Sequence, residues 1–562
     1  MEYAVIAALT VIGIVAVNAV APPVGVAAPL ILVAAGVGIS LIPGVPHLEI
    51  DPELILAGVL PPLLYSAAVS VPAMEFRCDL SAISGMSVLL VIVGSVAMGF
   101  FFYWAIPDIE LPIAIALGAI VSPTDAVATN ITKRMGVSPR VVTVLEGESM
   151  LNDASALVLL RSAVAAAAVS VSLWEVALDF AKSVVFAVII GAVVGYLGLR
   201  LRKRITNVAS STAISFVLPF VAYVPAEALD ASGLVAAVTA GLVTSALATR
   251  YLGPQDRISQ TQNWQTIELL LEGLIFSIMG LELIGIVDEV RENHGSVWFA
   301  VAIGAVAVPL ILIIRAGYVF GVLVLERRRA RRGEESRDQL SRFADLAGGM
   351  DDARKKRLFT RRVKQRQADV DYLSDQRLGR REGMVLVWAG MRGALTLAAS
   401  QTLPAGTSSR STLVLIAFVV AAGSLLIQGA TLPWLVHRLG LLSETTGADE
   451  AEESGLLDQL SKTASGVLEG PALRRADGSE FDPQAIDLLR AALVRERGED
   501  DRETHHDYAS QIVELRLKVI DAQRRHLTDA RRVGLYSTEA LRHALAVLDA
   551  EQISAELKND QG

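Results

Sequence analysis

The sequence predicts an all-α polytopic membrane protein with about thirteen transmembrane helices and a helical cytoplasmic tail. Of the 562 residues, 52% are hydrophobic and 19% are charged, and the mean hydropathy is +0.48. Apolar stretches of roughly 20 residues, long enough to cross a bilayer as helices, recur until about Leu442, and the charges are concentrated after it. A single cysteine, Cys78, excludes an intrachain disulfide framework.

Proline, glycine and charged clusters divide the apolar part of the chain into about thirteen predicted spans. The spans are 3–20, 23–42, 53–71, 80–106, 111–131, 142–169, 176–199, 206–224, 226–249, 264–287, 295–325, 383–403 and 411–440. The first lacks a basic N-terminal region and is predicted to be retained, not cleaved as a signal peptide. Basic residues dominate alternate loops, so an odd span count places the N-terminus outside the plasma membrane and the tail in the cytoplasm.

Two domains are predicted: a transmembrane domain at 1–442 and a cytoplasmic tail at 443–562, for which regulation is one hypothesis. The transmembrane domain includes a basic cytoplasmic loop at 327–382. Such a loop suits anionic lipid headgroups, but a solvated loop that acts as a topology signal is the favoured interpretation.

Apolar residues at helical spacing predict a small helical bundle or a dimerisation element in the tail. They form three sets, which are Ile486, Leu488, Leu489, Leu493 and Val494; Ile512, Leu515, Val519 and Ile520; and Leu541, Leu545 and Leu548. The acidic segment Ala448–Ser454 is predicted to be a linker. The tail contains no nucleotide-binding fingerprint and no metal-spaced Cys/His set, and no nucleic-acid partner is expected.

The segment Glu146-Gly-Glu-Ser-Met-Leu-Asn-Asp153 places acids inside an apolar span. On a helix, Ser149 and Asp153 share one face, and Glu148 and Asn152 form the neighbouring stripe. Their oxygens can replace the water shell of a hard monovalent cation. One carboxylate holds a cation or a proton but not both, and burial favours its neutral form. The pattern therefore predicts competition of the two ions for Asp153, with access alternating between the two sides of the membrane.

A second polar motif, Ser122-Pro-Thr-Asp125, lies in the middle of a predicted span. Pro123 is expected to interrupt the helix and to free backbone carbonyls as ligands. Thr124 and Asp125 are candidate cation ligands, and helix capping is the competing interpretation for both. For Asp153 the competing interpretation is a structural ion pair.

Further charges inside the spans call for partners. Glu148 is expected to pair with Arg315, with Arg392 as the rival, and either pair would be structural. Arg392 lies between Gly390 and Gly393, which predicts a second broken or closely packed helix and hints at an inverted repeat. Glu227 and Glu272 start or interrupt later spans, where a charge complementing the helix dipole is an equally good explanation.

These residues resemble the monovalent cation/proton antiporters, in the branch of bacterial and archaeal electroneutral sodium/proton exchangers and their animal relatives. The resemblance covers roughly 1–440 and is carried by Ser122-Pro-Thr-Asp-Ala126, Glu146-Gly-Glu-Ser-Met-Leu-Asn-Asp-Ala-Ser155 and Gly390-Met-Arg-Gly393. It implies a homodimer of thirteen-span subunits, each with inverted repeats, a dimer domain and a core domain that moves like an elevator. It also implies that the fifth and twelfth spans are broken and cross near the ion site.

The resemblance implies a role for each matching residue. Asp153 is similar to the family's ion- and proton-binding aspartate, and Asn152 is similar to its neutral neighbour. The further cation-site residues implied are Ser149, Thr124 and Asp125, and the structural pair implied is Glu148 with Arg315. Because members with Asp in place of Asn152 tend to be electrogenic, Asn152 implies exchange of one cation for one proton. Asp153, Asp125, Ser149 and Thr124 are the expected ligands of the transported cation.

The chain departs from the family at Ser66, where several prokaryotic members carry an acidic residue. If that acid contributes to cation binding, affinity or the preference between sodium and potassium differs here. The segments around Glu227 and Glu272 also resemble family segments, without a defined role.

The sequence thus predicts an electroneutral sodium/proton antiporter, which is not an enzyme and needs no cofactor beyond the transported ions. Potassium or lithium remains an alternative substrate. A rival from another class is a transport-inactive scaffold or sensor that acts through its tail, for which Asp153→Asn would leave function intact. An intramembrane aspartyl protease using Asp125 and Asp153 would require a Gly-x-Gly-Asp segment, and neither residue lies in one.

Overall fold

The computed structural model describes most of the chain, and its described residues form helices and connecting segments without a strand. The described residues are 2–24, 27–42, 51–71, 73–168, 173–348, 378–404, 406–441, 446–470, 473–475, 477–494, 509–533, 536 and 538–560. Most of the predicted basic loop, at 349–377, lies outside them.

Sixteen helices formed by the described residues precede the predicted tail. They are α1 (Glu2–Val24), α2 (Ala28–Ser40), α3 (Leu60–Ser70), α4 (Ala73–Ser84), α5 (Leu90–Ala105), α6 (Leu111–Ile120), α7 (Val127–Arg134), α8 (Pro139–Ala168), α9 (Leu173–Arg202), α10 (Val208–Glu227), α11 (Gly233–Tyr251), α12 (Pro254–Glu292), α13 (Val297–Gly348), α14 (Arg380–Trp388), α15 (Ala394–Gln401) and α16 (Arg410–Leu439). Single π-helical segments at Leu54–Val59 and Gly85–Leu89 lead into α3 and α5.

Eight helical segments among the described residues are long and apolar enough to cross a membrane. Shorter apolar helices, including α2 and α6, accompany them. An all-helical, multi-pass membrane protein is therefore the architecture, as the sequence predicts. The expected count of thirteen spans remains a prediction.

Several helix boundaries differ from the predicted spans. The predicted span 111–131 is divided into α6 and α7, with the residues around Pro123 outside both helices. Glu227 is the last residue of α10 and not the start of the next span, which begins at Gly233. The expectation that Glu227 opens a span is wrong, because a turn at Ala228–Ser232 separates the two helices. Helix α13 continues to Gly348, into the predicted basic loop.

Small residues allow the membrane helices to approach closely. At Gly191 on α9 an added Cβ would meet the backbone of Ala236 on α11, and at Gly118 on α6 it would meet the backbone of Ser95 on α5. Without a hydrophobic driving force between helices in lipid, such close packing is a main source of helix association. The contact at Gly118 holds α6 against α5, and so positions the helix break that follows α6.

Among the described residues of the predicted tail there are four helices, α17 (Thr446–Leu468), α18 (Pro483–Val494), α19 (Ala509–Val533) and α20 (Thr538–Asp560). Its apolar side chains form two clusters, one around Leu460, Ile520 and Leu548 and the other around Leu489 and Leu515. The acidic segment expected to be a linker lies inside α17, so that expectation is wrong. A helix with acids near its start and an apolar second half explains why the segment is ordered.

The chain divides into two compact units. The first comprises Met1–Tyr251, Gln260–Arg329 and Gln376–Ser443, and the second comprises Leu252–Ser259, Ala330–Asp375 and Glu444–Gly562. Within the second unit, Asp549 on α20 accepts hydrogen bonds from Arg257 Nε at 2.9 Å and from Arg524 Nη2 at 2.9 Å. Burial and the neighbouring charge of Arg257 lower the pKa of the Arg524 guanidinium.

Candidate functional site

Two helix interruptions meet in the first unit. The first separates α6 from α7, and the second separates α14 from α15. The N–H of Asp125 in the first interruption donates to the carbonyl of Met391 in the second at 2.8 Å. Gly393 lies so close to Asp125 that a Cβ there would collide with the carboxylate. The predicted contact between two broken helices is therefore present, and a glycine is required at this crossing.

Charged side chains stabilise the helix ends that these interruptions create, with a cation at the C-terminal ends and an anion at an N-terminal end. The guanidinium of Arg392 donates to the carbonyl of Val121 at 2.8 Å and to that of Gly390, at the C-terminal ends of α6 and α14. Asp125 Oδ1 accepts the N–H of Val127 at 3.0 Å, at the start of α7. Cations stabilise helix C-termini and anions stabilise N-termini. The capping interpretation of Asp125 is thus present in the geometry, and Arg392 is bound to backbone carbonyls.

The polar side chains of α8 contact the first interruption. Asn152 Nδ2 donates to Thr124 Oγ1 at 2.6 Å, and that hydroxyl donates to Glu148 Oε1 at 3.5 Å. Within the described residues, Asn152 Oδ1 is buried and has no hydrogen-bond partner. Ser149 Oγ donates to the carbonyl of Glu146 at 3.2 Å, so its lone pairs stay available to an ion.

Asp153 differs from Glu146 and Glu148, the other acids of α8, because it has no partner among the described residues. It makes no hydrogen bond and no ion pair with any residue that the structure describes. The charged group that acts on it is another acid, Asp125. Two neighbouring carboxylates repel when both are ionised, so either a cation or a proton relieves the repulsion.

Glu148 is neutralised by Arg315, the pairing preferred from the sequence. Arg315 Nη2 donates to Glu148 Oε2 at 2.7 Å, and a second hydrogen bond joins Nη1 to Oε1. The side chains are 1% and 2% exposed. The remaining donor of Arg315, Nε, binds the carbonyl of Leu386 on α14 at 2.9 Å. A small cavity next to this pair is lined by Glu148, Asn152, Arg315 and Arg392 among apolar side chains.

Three residues with less defined roles occupy two other places. Glu272 on α12 lies within electrostatic range of Asp125, and Ser66 on α3 donates to Glu268 on α12 at 3.0 Å. Glu227 lies apart from the interruptions that carry Asp125, where it binds Arg161 at 2.7 Å and accepts the N–H of Gly233 at 2.9 Å.

Sequence reasoning missed Glu268 and two further pairs. Glu268 precedes Glu272 by one helical turn, and that spacing was a usable signal. Arg140 donates to Asp79 at 2.7 Å in a buried ion pair, and Gln401 donates to Glu282 at 2.8 Å. Both contacts join segments distant in the chain, so local spacing carries no trace of them.

Comparisons with known proteins identify a family for this chain. The family model for "Sodium/hydrogen exchanger, transmembrane" matches residues 6–438. An uncharacterized Na(+)/H(+) exchanger of Mycobacterium tuberculosis is 28% identical over 543 residues, 93% of this chain and 91% of the relative. A sodium, potassium, lithium and rubidium/H(+) antiporter of Bacillus pumilus is 32% identical over 271 residues, 45% of this chain and 39% of the relative.

A solved structure shares the fold. The sodium proton antiporter MjNhaP1 from Methanocaldococcus jannaschii superposes with a TM-score of 0.53 at 14% sequence identity. The match covers 78% of this chain and 99% of MjNhaP1.

Proposed function

This chain belongs to the sodium/hydrogen exchanger family, which consists of transporters and not enzymes, and from that premise we propose that it exchanges one sodium ion for one proton across the plasma membrane. The observation that carries the proposal is the contrast between two acids of α8. Glu148 is bound to Arg315, whereas Asp153 has no partner among the described residues. A carboxylate without a fixed cation is free to bind a mobile one.

Cation and proton compete for Asp153 in the proposed mechanism. A bound sodium ion takes oxygens from Asp153, with Asp125, Thr124 and Ser149 as further ligands, and Asn152 holds the Thr124 hydroxyl in place. Protonation of Asp153 removes the charge that holds the cation and releases it. Because Asn152 is neutral, one acid exchanges one positive charge for another, and the cycle moves no net charge.

Glu148 and Arg315 have a different role. Their double hydrogen bond joins α8 to α13, and Arg315 extends the connection to the carbonyl of Leu386 on α14. Arg392 stabilises the C-terminal ends of the two interrupted helices. We expect these groups to hold the interruptions in place while Asp153 changes its ligand.

The wider arrangement is part of the same proposal. We infer a homodimer of thirteen-span subunits with the N-terminus outside and the tail in the cytoplasm. A core domain that carries the interruptions moves like an elevator against a dimer domain, so that Asp153 faces one side of the membrane at a time.

Potassium is the second candidate substrate, because the Bacillus pumilus relative is named for sodium, potassium, lithium and rubidium. The residues around Asp153 supply oxygens that suit every alkali cation. Nothing in that set of ligands excludes the larger ion.

Proteoliposomes test the function and rank the substrates in one assay. A trapped dye reports internal pH while sodium, potassium, lithium or choline is added, and an ionophore clamps the voltage. We expect voltage-insensitive proton movement with sodium and none with choline. A rate that changes with the clamped voltage would contradict one-for-one exchange, and no movement with any cation between about pH 5 and 9 would contradict antiport.

A further inference from the structure

We propose that the C-terminal ends of α9 and α11 form a binding site for the headgroup of an anionic phospholipid. The site consists of Tyr196 and Arg200 at the end of α9, Lys203 directly after it, and Arg250 and Tyr251 at the end of α11. We call these five residues the basic aromatic cluster, and all of them belong to the first unit. The inference is independent of the proposed exchange function.

Two tyrosine rings join the helix ends. Tyr196 and Tyr251 meet edge to face, with ring centroids 6.1 Å apart and an interplanar angle of 84°. Next to Tyr196 the two helices approach closely, because a Cβ added at Gly195 would meet the carbonyl oxygen of Ala240 at 2.7 Å. The two helix ends are therefore held together before any ligand binds.

Three cations surround the two rings. Arg200 Cζ lies 5.7 Å from the centroid of the Tyr196 ring. Lys203 Nζ and Arg250 Cζ lie 5.7 Å and 5.8 Å from the centroid of the Tyr251 ring. Aromatic faces attract cations at such distances but leave their positive charge in place. The rings thus hold three positive charges close together at the junction of α9 and α11.

The charges of this cluster are not neutralised by acids. Arg200, Lys203 and Arg250 form no ion pair with any residue that the structure describes. The sequence explains why, since neither Asp nor Glu occurs at 180–226 or at 231–255. Like charges held close together repel, and a bound anion relieves that repulsion. The cluster therefore suits an anionic ligand.

The position of the cluster favours a lipid over a soluble anion. Two segments that are long and apolar enough to cross a membrane, Leu178–Arg202 and Gly233–Tyr251, both end at the cluster. Val193 and Leu197 lie on the same face of α9 as Arg200, and they are 50% and 57% exposed. Acyl chains can cover this apolar face while a phosphate group contacts the cations. Basic residues and tyrosines at a membrane interface are typical contacts of anionic headgroups.

Native mass spectrometry of the full-length protein in detergent tests the site. Phosphatidylglycerol and phosphatidylcholine with the same acyl chains are titrated, and the Kd of the first bound lipid is measured. We expect wild type to bind phosphatidylglycerol at least about ten-fold more tightly, because each nearby cation contributes about five-fold. The triple variant Arg200→Gln, Lys203→Gln and Arg250→Gln should bind both lipids equally, to within about two-fold.

A matched control separates this cluster from positive charge in general. Arg380, Arg381 and Arg438 are exposed arginines on α14 and α16. Changing all three to Gln removes the same charge and should keep the preference for phosphatidylglycerol. An equal loss of preference in this control would overturn the inference.

The remaining outcomes are equally decisive. A triple variant that gives a single size-exclusion peak and keeps the preference would show that the cluster is not the site. Lys203→Gln changes one exposed side chain and should raise the Kd for phosphatidylglycerol about five-fold. An unchanged Kd in Lys203→Gln would contradict the proposal even if the triple variant fails to fold. Displacement of phosphatidylglycerol by excess inorganic phosphate would identify a site for free anions and overturn the assignment to a lipid.

Discussion

Two carboxylates in different regions of α8 have opposite surroundings. In one, Glu148 is 1% exposed and is bound through both oxygens to Arg315. In the other, five residues further along, Asp153 is partly exposed and has only a second acid, Asp125, as its charged neighbour among the described residues. The sequence motif is continuous through both, so the difference comes from the helices that pack on each face.

The comparison teaches how the membrane domain distributes its charges. Burial of an unpaired carboxylate at the bilayer centre costs at least about 2.5 kcal/mol, and a paired arginine offsets this cost. Glu148 has that partner and serves the framework. Asp153 lacks an arginine partner. We infer that its carboxylate stays unpaired, despite this cost, because a cation and a proton must both be able to bind to it and leave.

Loss of the Asp153 charge has the largest expected effect on transport. We expect Asp153→Asn to reduce sodium-dependent proton movement in proteoliposomes by at least about 100-fold, because an amide has no negative charge and no titratable proton. The variant should keep the wild-type melting temperature in detergent or exceed it, since the repulsion between Asp153 and the neighbouring acid Asp125 has been removed. Exchange at the wild-type rate would favour the scaffold interpretation.

Loss of the Glu148 charge should instead weaken the contacts that join α8 to α13 and α14. Glu148→Gln leaves Arg315 buried without its counter-ion and is expected to destabilise the folded protein by about 3–5 kcal/mol. Thermal unfolding in detergent, followed by tryptophan fluorescence, measures the effect. The double variant Glu148→Leu with Arg315→Leu should lose less stability than Glu148→Leu alone. If the double variant is the less stable one, Glu148 and Arg315 do not act as a pair.

The second unit extends the comparison to another paired acid. Asp549 is bound by Arg257 and Arg524, and its side chain is 4% exposed. We expect Asp549→Ala to destabilise this unit by about 1–3 kcal/mol, because two guanidinium groups lose their acceptor. Limited proteolysis of the full-length protein should then cleave the tail faster. Cleavage at the wild-type rate would show that the two arginines do not depend on Asp549.

An exposed pair should have the smallest effect. Arg161 and Glu227 are in contact at 2.7 Å, but their side chains are 57% and 26% exposed. We expect Arg161→Gln to change stability by no more than about 1 kcal/mol, because two exposed side chains lose conformational freedom when they pair, which offsets most of the attraction. The melting temperature of this variant, measured beside that of Glu148→Gln, sharpens the distinction between buried and exposed pairs. A loss as large as that of Glu148→Gln would contradict it.

The sequence was most informative where polar residues interrupt apolar spans. Pro123 predicted the interruption between α6 and α7, because proline removes a helix hydrogen bond and the surrounding residues are apolar. Glu148 was expected to pair with Arg315, with Arg392 as the rival, because a charge inside a membrane span calls for a partner. In both cases the sequence alone shows that the residue is unfavourable inside a membrane helix: Pro123 interrupts the helix, and the charge of Glu148 needs a partner.

The contacts that could not be predicted from the sequence join helices that are far apart along the chain. Ser66 and Glu268 are 202 residues apart, and Arg257 and Asp549 are 292 residues apart. Neither contact leaves a periodicity or a motif. The boundary at Glu227 was also misjudged, because the residues after Glu227 form a turn and not the first turn of the next helix, which begins at Gly233.

Proton release on cation binding tests the central claim most directly. Purified protein in weakly buffered detergent near neutral pH, mixed with sodium chloride, reports released protons through an indicator dye, while choline chloride controls for ionic strength. If Asp153 holds either a cation or a proton, protein with protonated Asp153 should release one proton for each sodium ion bound, and Asp153→Asn should release none. Sodium binding without proton release, or unchanged release in Asp153→Asn, would contradict the account.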